Sequence, residues 1–354
     1  MSTDPQFSST RAALYDLLRD INAEIGSSMT DAELLAMVSA RVRELADDTA
    51  AGDPAALEAA PAQLADVLAD ITRRHDHFTQ TGESYMGHRT GFARLDDYLG
   101  GLDTGRVSVL LASPAAGKTT ISNQIAWTVA SAGVPVLYVS YENSPGDLMK
   151  KTLARLAGVN PAFIDRGRIA PDALAGAAAT FTARGGSLFY LPGTSTTTIE
   201  TIRAALASIL NRHPGAGHPL IVVDYLQMMA HHAGTYENTT AQIGAALSSL
   251  SRLTAEYGAH VWAISSMNRE SRKTTNGGDR ADTGTGSGAI EYDGAAVLTL
   301  TPGENRDTAS TDPLTLRVVK NRYGQCGALE LSRDRTTLRI AQREPTLASM
   351  NGRS

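Results

Sequence analysis

Residues 112–119 read Ala112-Ser113-Pro114-Ala115-Ala116-Gly117-Lys118-Thr119, and Thr120 follows. A short apolar run precedes this stretch and a helical pattern opens at its end. In that context the N–H groups of the loop and of the helix N-terminus can wrap an anion. Gly117 lets the backbone approach closely, Lys118 adds a point charge, and Thr119 supplies a hydroxyl suited to a hard cation such as Mg²⁺. This is the G-x-x-x-x-G-K-[ST] phosphate loop, with Ala112 in place of its first glycine. Alanine is the smallest departure a tight turn could accept. ATP and Mg²⁺ are therefore the expected cofactors, with Ser113, Pro114, Ala115, Ala116, Gly117, Lys118, Thr119 and Thr120 as contacts.

Two carboxylates end apolar runs. Asp224 closes Leu220-Ile221-Val222-Val223, and Glu142 follows Val139-Ser140-Tyr141. An acid at the carboxyl end of a strand beside the phosphate-loop strand can join Thr119 around the metal. The other reading of Asp224 is a turn or cap carboxylate. Glu142 is placed to orient or deprotonate a water that attacks the terminal phosphate; the bland reading is an acid favouring the dipole of the following helix.

The rest of the chain must position these groups. Its 354 residues are 42% hydrophobic and 19% charged, enough for a substantial core. The net charge of −5 argues against a protein that coats nucleic acid with a basic face, but leaves room for a few basic channel loops. The single cysteine, Cys326, excludes an internal disulfide and fits a cytoplasmic setting. A polar N-terminus without a signal-peptide pattern and the lack of a long apolar run predict no membrane span. His75-Asp76-His77 and His231-His232 lack further ligands at metal spacing. Trp127 and Trp262 read as core.

Residues 1–80 read as helices over 10–25, 30–45 and onward to about 74. The last stripe is Leu57, Leu64, Val67, Leu68 and Ile71. They form either a small bundle or a collar that docks on a neighbouring subunit. From about residue 90, apolar strand runs (107–112, 134–140, 187–191, 220–225, 260–265, 295–301, 314–319) alternate with helical stretches (119–131, 147–156, 199–210, 242–257). That alternation predicts an α/β fold, a mostly parallel sheet with helices on both faces. A terminal hairpin is expected from 314–319 and 328–340. The predicted domains are 1–80, a helical N-terminal or linker region; 81–343, the ATPase domain; and 344–354, a tail.

The order of these motifs resembles that of the DnaB-type replicative helicases, RecA-like P-loop ATPases of helicase superfamily 4. The resemblance runs from about residue 90 to 340. It is carried by Thr90-Gly91-Phe92-Ala93-Arg94-Leu95-Asp96, Pro114 within the loop, the strand into Glu142, Asp224-Tyr225-Leu226-Gln227, Ala263 to Arg269, Gly288-Ala289-Ile290-Glu291-Tyr292-Asp293 and Lys320-Asn321-Arg322-Tyr323-Gly324. The Asp-Tyr-Leu-Gln string is the most specific of these. The resemblance implies a homo-oligomeric, hexameric ring that moves on single-stranded DNA and unwinds duplex. It implies Gln227 in the nucleotide site, and Arg322 as an arginine finger with Lys320 beside it, both acting in trans. The alternative for that pair is a solvated strand.

Ser266 stands where the family has a glutamine, and Thr285 and Gly286 where its DNA-gripping loop has Arg-Glu. Arg269, Arg272, Lys273 and Arg280 are the remaining candidates for DNA phosphates; the alternative is a solvated loop. The stretch before Thr90 is shorter than the family's primase-binding region, so recruitment of a loader or other replisome protein is not implied by these motifs. Two rival functions share the same acid pair and lysine: a RadA- or KaiC-like RecA-fold ATPase, and a DNA-binding or replisome-interaction protein that uses ATP only to assemble.

Overall fold

The structure, a computed structural model, describes residues 64–83, 85–113, 115–232, 239–266, 287–303 and 310–343. The helices expected over 10–25 and 30–45, Pro114, the four candidate DNA cations Arg269, Arg272, Lys273 and Arg280, and the tail 344–354 lie outside the described residues. The chain divides into two compact units, Met1–Arg73 and Arg74–Ser354, with the division inside helix α1 (Leu64–Thr81).

The second unit is built on a nine-stranded sheet. In chain order its elements are α2 (Ala93–Leu99), β1 (Arg106–Ala112), α3 (Lys118–Ser131), β2 (Val136–Ser140), α4 (Pro145–Ala157), α5 (Pro161–Asp165), a 3₁₀ turn (Pro171–Leu174), α6 (Ala175–Arg184), β3 (Leu188–Pro192) and α7 (Ile199–Arg212). Then come β4 (Leu220–Asp224), α8 (Leu226–His232), α9 (Thr239–Tyr257), β5 (His260–Ser266), α10 (Ser287–Asp293), β6 (Ala296–Pro302), β7 (Thr311–Asn321), β8 (Gly327–Asp334) and β9 (Ile340–Gln342). The strand order is β3-β2-β4-β5-β1-β6-β7-β8-β9. The strands from β3 to β6 in that order are parallel, and β6 to β9 are antiparallel.

The central strands are buried along nearly their whole length because both faces are covered. Alternate residues serve opposite faces. Leu110, Tyr138, Val222 and Trp262 pack with Ile121 and Ile125 of α3, while Val109, Leu137, Ile221 and Val261 pack with α7 and α9. Trp262 is fully buried and donates through Nε1 to Ser122 Oγ at 2.9 Å, which fixes α3 over β5. Trp127 is also in the core.

Helix ends follow local chemistry. Ser144 caps α4 by accepting from Asp147 N at 3.1 Å, Pro145 starts the helix, and Gly158 ends it in the left-handed conformation. Thr198 and Thr201 form a capping box on α7.

The structure corrects two expectations. The strand of Asp224 is not beside the phosphate-loop strand, because β5 lies between β4 and β1. The expected hairpin arm over 328–340 is two strands, β8 and β9. Asp334 Oδ1 accepts the N–H groups of Thr336 and Thr337, both at 2.7 Å, and this side-chain turn ends β8. Helices α2, α5, α6, α8 and α10 carry too short or too alanine-rich a pattern to have been anticipated. No helix of the described residues is long and apolar enough to cross a membrane.

Candidate active site

Parallel register brings four strand ends together. Ala112 of β1 pairs with Ser266 of β5, Val223 of β4 with Ala263 of β5, and Ser140 of β2 with Asp224 of β4. The turns leaving these strands carry the phosphate loop, Ser266, Asp224 and Glu142. Such carboxyl ends are where open α/β sheets bind ligands.

The loop turns sharply. Ala115 has φ 65° and Gly117 φ 100°, both left-handed. Alternation of such residues curls successive N–H groups inward as an anion nest. Gly117 is the position that needs glycine most. Its φ disfavours a side chain, and a Cβ there would lie 3.2 Å from Nη1 of Arg333, which reaches over the loop from β8. Arg333 is held by Asp312 Oδ2 at 3.0 Å. It is a second cation at the loop within the same chain, and it was missed from sequence because it sits in an ordinary alternating strand far along the chain.

Lys118 is nearly buried, and its Nζ donates to Ser266 Oγ at 3.3 Å. The same ammonium lies 5.3 Å from the centroid of the Tyr225 ring. Ser266 therefore faces the lysine directly.

Asp224 is fully buried. Its Oδ2 accepts from Thr119 Oγ1 at 2.8 Å and from Tyr138 OH at 3.0 Å, while Oδ1 is buried with no hydrogen-bond partner among the described residues. Burial raises its carboxyl above the ordinary value. The Thr119 and Tyr138 hydroxyls counter the rise, Glu142 adds to it and Lys118 opposes it. Tyr138 is itself pushed well above the usual phenol range, first by burial and then by Asp224. A buried carboxylate oxygen lacking a donor, next to a threonine hydroxyl, is an all-oxygen set that fits Mg²⁺ or its water shell.

Glu142 is exposed at the mouth of the site, on the turn after β2. Tyr141 N donates to Asp224 O at 2.7 Å, and Asn143 N to Ser140 Oγ at 3.1 Å, so both flanks of Glu142 are tied down.

Gln227 is turned onto the end of β5. Its Nε2 donates to Ser265 Oγ at 2.8 Å and to Ser266 O at 3.1 Å, and its Oε1 accepts from Ser266 N at 3.2 Å. Both amide donors are used in clamping the end of β5, which makes Gln227 a positioning residue for Ser266.

Lys320 and Arg322 are not brought to this site. Lys320 Nζ donates to Gly294 O at 3.0 Å, Arg322 N donates to Ala295 O at 2.9 Å, and the Arg322 guanidinium donates to Tyr292 O. These contacts lie where β6 begins, at the end of the sheet away from the phosphate loop. Exposed Tyr292 and Tyr323 flank them.

The fold and this loop define a RecA-like P-loop nucleotide-binding domain. The sequence profile of the DnaB-like helicase C terminal domain matches residues 87–342, and the chain belongs to that family. It is 27% identical over 266 residues to a probable plasmid replicative DNA helicase of Chlamydia psittaci, covering 73% of this chain and 57% of that protein. It is 27% identical over 219 residues to the replicative DNA helicase DnaB of Helicobacter pylori, covering 61% and 44%. The chain thus spans about half the length of the curated relatives it matches. Among solved structures, one isolated ATPase domain superposes with a TM-score of 0.71 at 18% identity, over 80% of this chain and 100% of that one. A DnaB-like replicative helicase, described with its interactions with primase, superposes at 0.69 and 15% identity, over 96% and 76%. Both show the same fold.

Proposed function

We propose that the protein is an ATP- and Mg²⁺-dependent DNA helicase of the DnaB type that acts as a homo-oligomeric ring, a hexamer by family resemblance. It would move on single-stranded DNA and open duplex during replication, in the cytoplasm. The observation that carries the ATPase reading is the buried Oδ1 of Asp224, which has no hydrogen-bond partner among the described residues, beside the hydroxyl of Thr119. Thr119 and Asp224 would hold the magnesium, which when bound neutralises charge on the phosphate oxygens.

The chain's own groups do the rest. The nest of residues 113–119 binds the phosphates, and Lys118 exchanges Ser266 for the terminal phosphate. Glu142, held at the mouth, orients the attacking water and accepts its proton. Arg322 and Lys320 of one copy would meet the developing charge in the next copy's site, an effect worth about 10³–10⁵ in rate where arginine fingers have been measured. Arg269, Arg272, Lys273 and Arg280 are the candidate contacts to DNA phosphates.

A strand-displacement assay tests this reading. Hydrolysis stimulated by single-stranded DNA, together with unwinding, supports the motor. Ring formation on nucleotide without unwinding would favour the assembly-only reading, which the acidic balance and Thr285 and Gly286 recommend as the second choice. A replisome or loader protein is the further candidate partner.

A further inference from the structure

The inner face of β8 ends on a cation. Leu329 and Leu331 are buried in the cluster that holds Ile121 and Ile125 of α3, and Arg333 is the next residue on that face. On β7, Leu316 and Leu314 lead in the same way to Asp312, which lies directly opposite Arg333 in the antiparallel register. Where the alternation calls for an apolar pair, the two strands carry an ion pair, with Arg333 Nη2 on Asp312 Oδ2 at 3.0 Å. A half-buried ion pair at a core position contributes less stability than apolar packing there would.

The cluster is not neutral. Arg335 also bonds Asp312, at 2.7 Å from Oδ1, so two guanidiniums share one carboxylate and a positive charge is left over. Arg335 and then Arg333 hold that carboxyl below its ordinary value, so it stays ionised at neutral pH.

The strands are fastened over α3. The Gln124 amide bonds both backbone groups of Ile340 in β9, donating to its O at 2.7 Å and accepting from its N at 3.0 Å. Arg333 is thereby held at the phosphate loop, with Nη1 3.2 Å from where a Cβ on Gly117 would stand.

The side of approach decides which phosphates it meets. In the sheet, β5 and β8 lie on opposite sides of β1. Lys118 leans toward β5, onto Ser266, and Asp224 and Glu142 lie further to that side, on β4 and on the turn after β2. The terminal phosphate and the attacking water belong there. Arg333 comes from the β8 side and reaches the residue before Lys118, so it faces the phosphates that remain after hydrolysis.

We propose that Arg333 binds the inner phosphates of the nucleotide in cis, with Asp312 as its anchor, and so sets how firmly the diphosphate product is retained. The proposal rests on the loop being a nucleotide site. Arg333 acts within one chain, in contrast to the trans role proposed for Arg322 and Lys320. The planar fork suits the task, since one Nη can stay on the carboxylate while the other takes a phosphate oxygen.

The test is calorimetric binding of ADP, the imido analogue of ATP and pyrophosphate to the full chain with Mg²⁺. Wild type, Arg333→Met and Arg333→Lys would be compared. In Arg333→Met all three affinities should fall together by about tenfold, the worth of one hydrogen bond to a charged group. Arg333→Lys keeps a charge beside Asp312, and decides the matter should Arg333→Met fail to fold. A single ammonium does not span carboxylate and phosphate as the fork does, so a loss of at least about threefold should persist. Affinities within about twofold of wild type in both variants overturn the assignment and leave the phosphate-site reading intact. A loss confined to the ATP analogue would put Arg333 at the terminal phosphate, and a loss for both nucleotides but not pyrophosphate would put it on the nucleoside; each overturns it too. Tighter binding in Arg333→Met would mean that the guanidinium occupies the site rather than serving it, and also overturns the proposal. If none of the three ligands binds wild type, the phosphate-site reading fails and the role of Arg333 fails with it.

Discussion

Arg322 and Lys118 stand at opposite ends of one sheet. Arg322 is fastened to Ala295 at the start of β6, whereas Lys118 follows the far end of β1. The strands run parallel with Ser108 opposite Ala296, and the Arg106 guanidinium at the start of β1 lies 4.2 Å from the Tyr323 ring. The length of β1, about 20 Å at 3.3 Å per residue, separates the two cations. An arginine so placed does not reach its own chain's phosphate loop, and the proposed role in trans is what remains to be tested.

Complementation between mutants follows from that geometry. Arg322→Ala should lower ATP hydrolysis by about 10³ or more while sparing nucleotide affinity. Glu142→Ala should be equally inactive. Mixed under conditions of subunit exchange, the two should recover part of the activity, since some interfaces join an intact Glu142 to an intact Arg322. Silence across all mixing ratios, with exchange verified by a labelled subunit, would count decisively against action in trans.

Tyr138→Phe removes only a hydroxyl from a fully buried ring. That hydroxyl and Thr119 both donate to Oδ2 of Asp224, which leaves Oδ1 for the metal shell. The variant should fold normally and bind nucleotide as wild type does without Mg²⁺. The Mg²⁺-dependent gain in nucleotide affinity should fall about fivefold, equivalent to one lost hydrogen bond of about 1 kcal/mol. Titrations with and without Mg²⁺ read this directly, and an unchanged gain would dismiss Tyr138 as packing alone.

Gln227→Met keeps the volume of the side chain and deletes its clamp on Ser265 and Ser266. Groups at the end of β5 lose their partners, so stability should drop by about 2 kcal/mol. Turnover should fall several-fold with nucleotide affinity held within about twofold, the pattern of a group that positions the chemistry rather than binding substrate. Steady-state kinetics beside equilibrium binding distinguishes these. A pure affinity loss would restore Gln227 to the role of direct ligand.

His260 links stability to pH at the other end of the sheet. Its ring is buried, with Nδ1 2.7 Å from Asp103 O and Nε2 3.1 Å from Ser108 Oγ. The neutral ring donates from Nδ1 to the carbonyl and accepts the serine hydroxyl at Nε2. Burial pushes its pKa from 6.5 to about 4. Between those values the unfolded chain takes up a proton that the native ring refuses, so this contribution is full above pH 6.5 and is lost as pH falls toward 4. The loss should approach roughly 3 kcal/mol. In urea unfolding, His260→Asn, which keeps an N–H near Nδ1, should depend less on pH than wild type over that interval. Parallel curves would show that the ring does not carry the effect.

Local chemistry was readable along the chain because it is written in neighbouring residues. Gly117, Lys118 and Thr119 announce a phosphate nest by their order between strand and helix. Asp224 and Glu142 declare themselves at the ends of apolar runs, and continuous apolar stretches mark the strands. The string from Asp224 to Gln227 pointed to the family, although it could not tell that the Gln227 amide clamps the end of β5.

Contacts across the sheet obey no such local code. Nothing in the pattern of β4 or β1 says that β5 will lie between them, and that insertion is what places Ser266 against Lys118. Arg333 over Gly117 and the Tyr138 hydroxyl on Asp224 each join residues far apart in sequence. Strand order and helix packing are settled by how the whole core buries its two apolar faces, so only the folded chain reveals which distant side chains become partners.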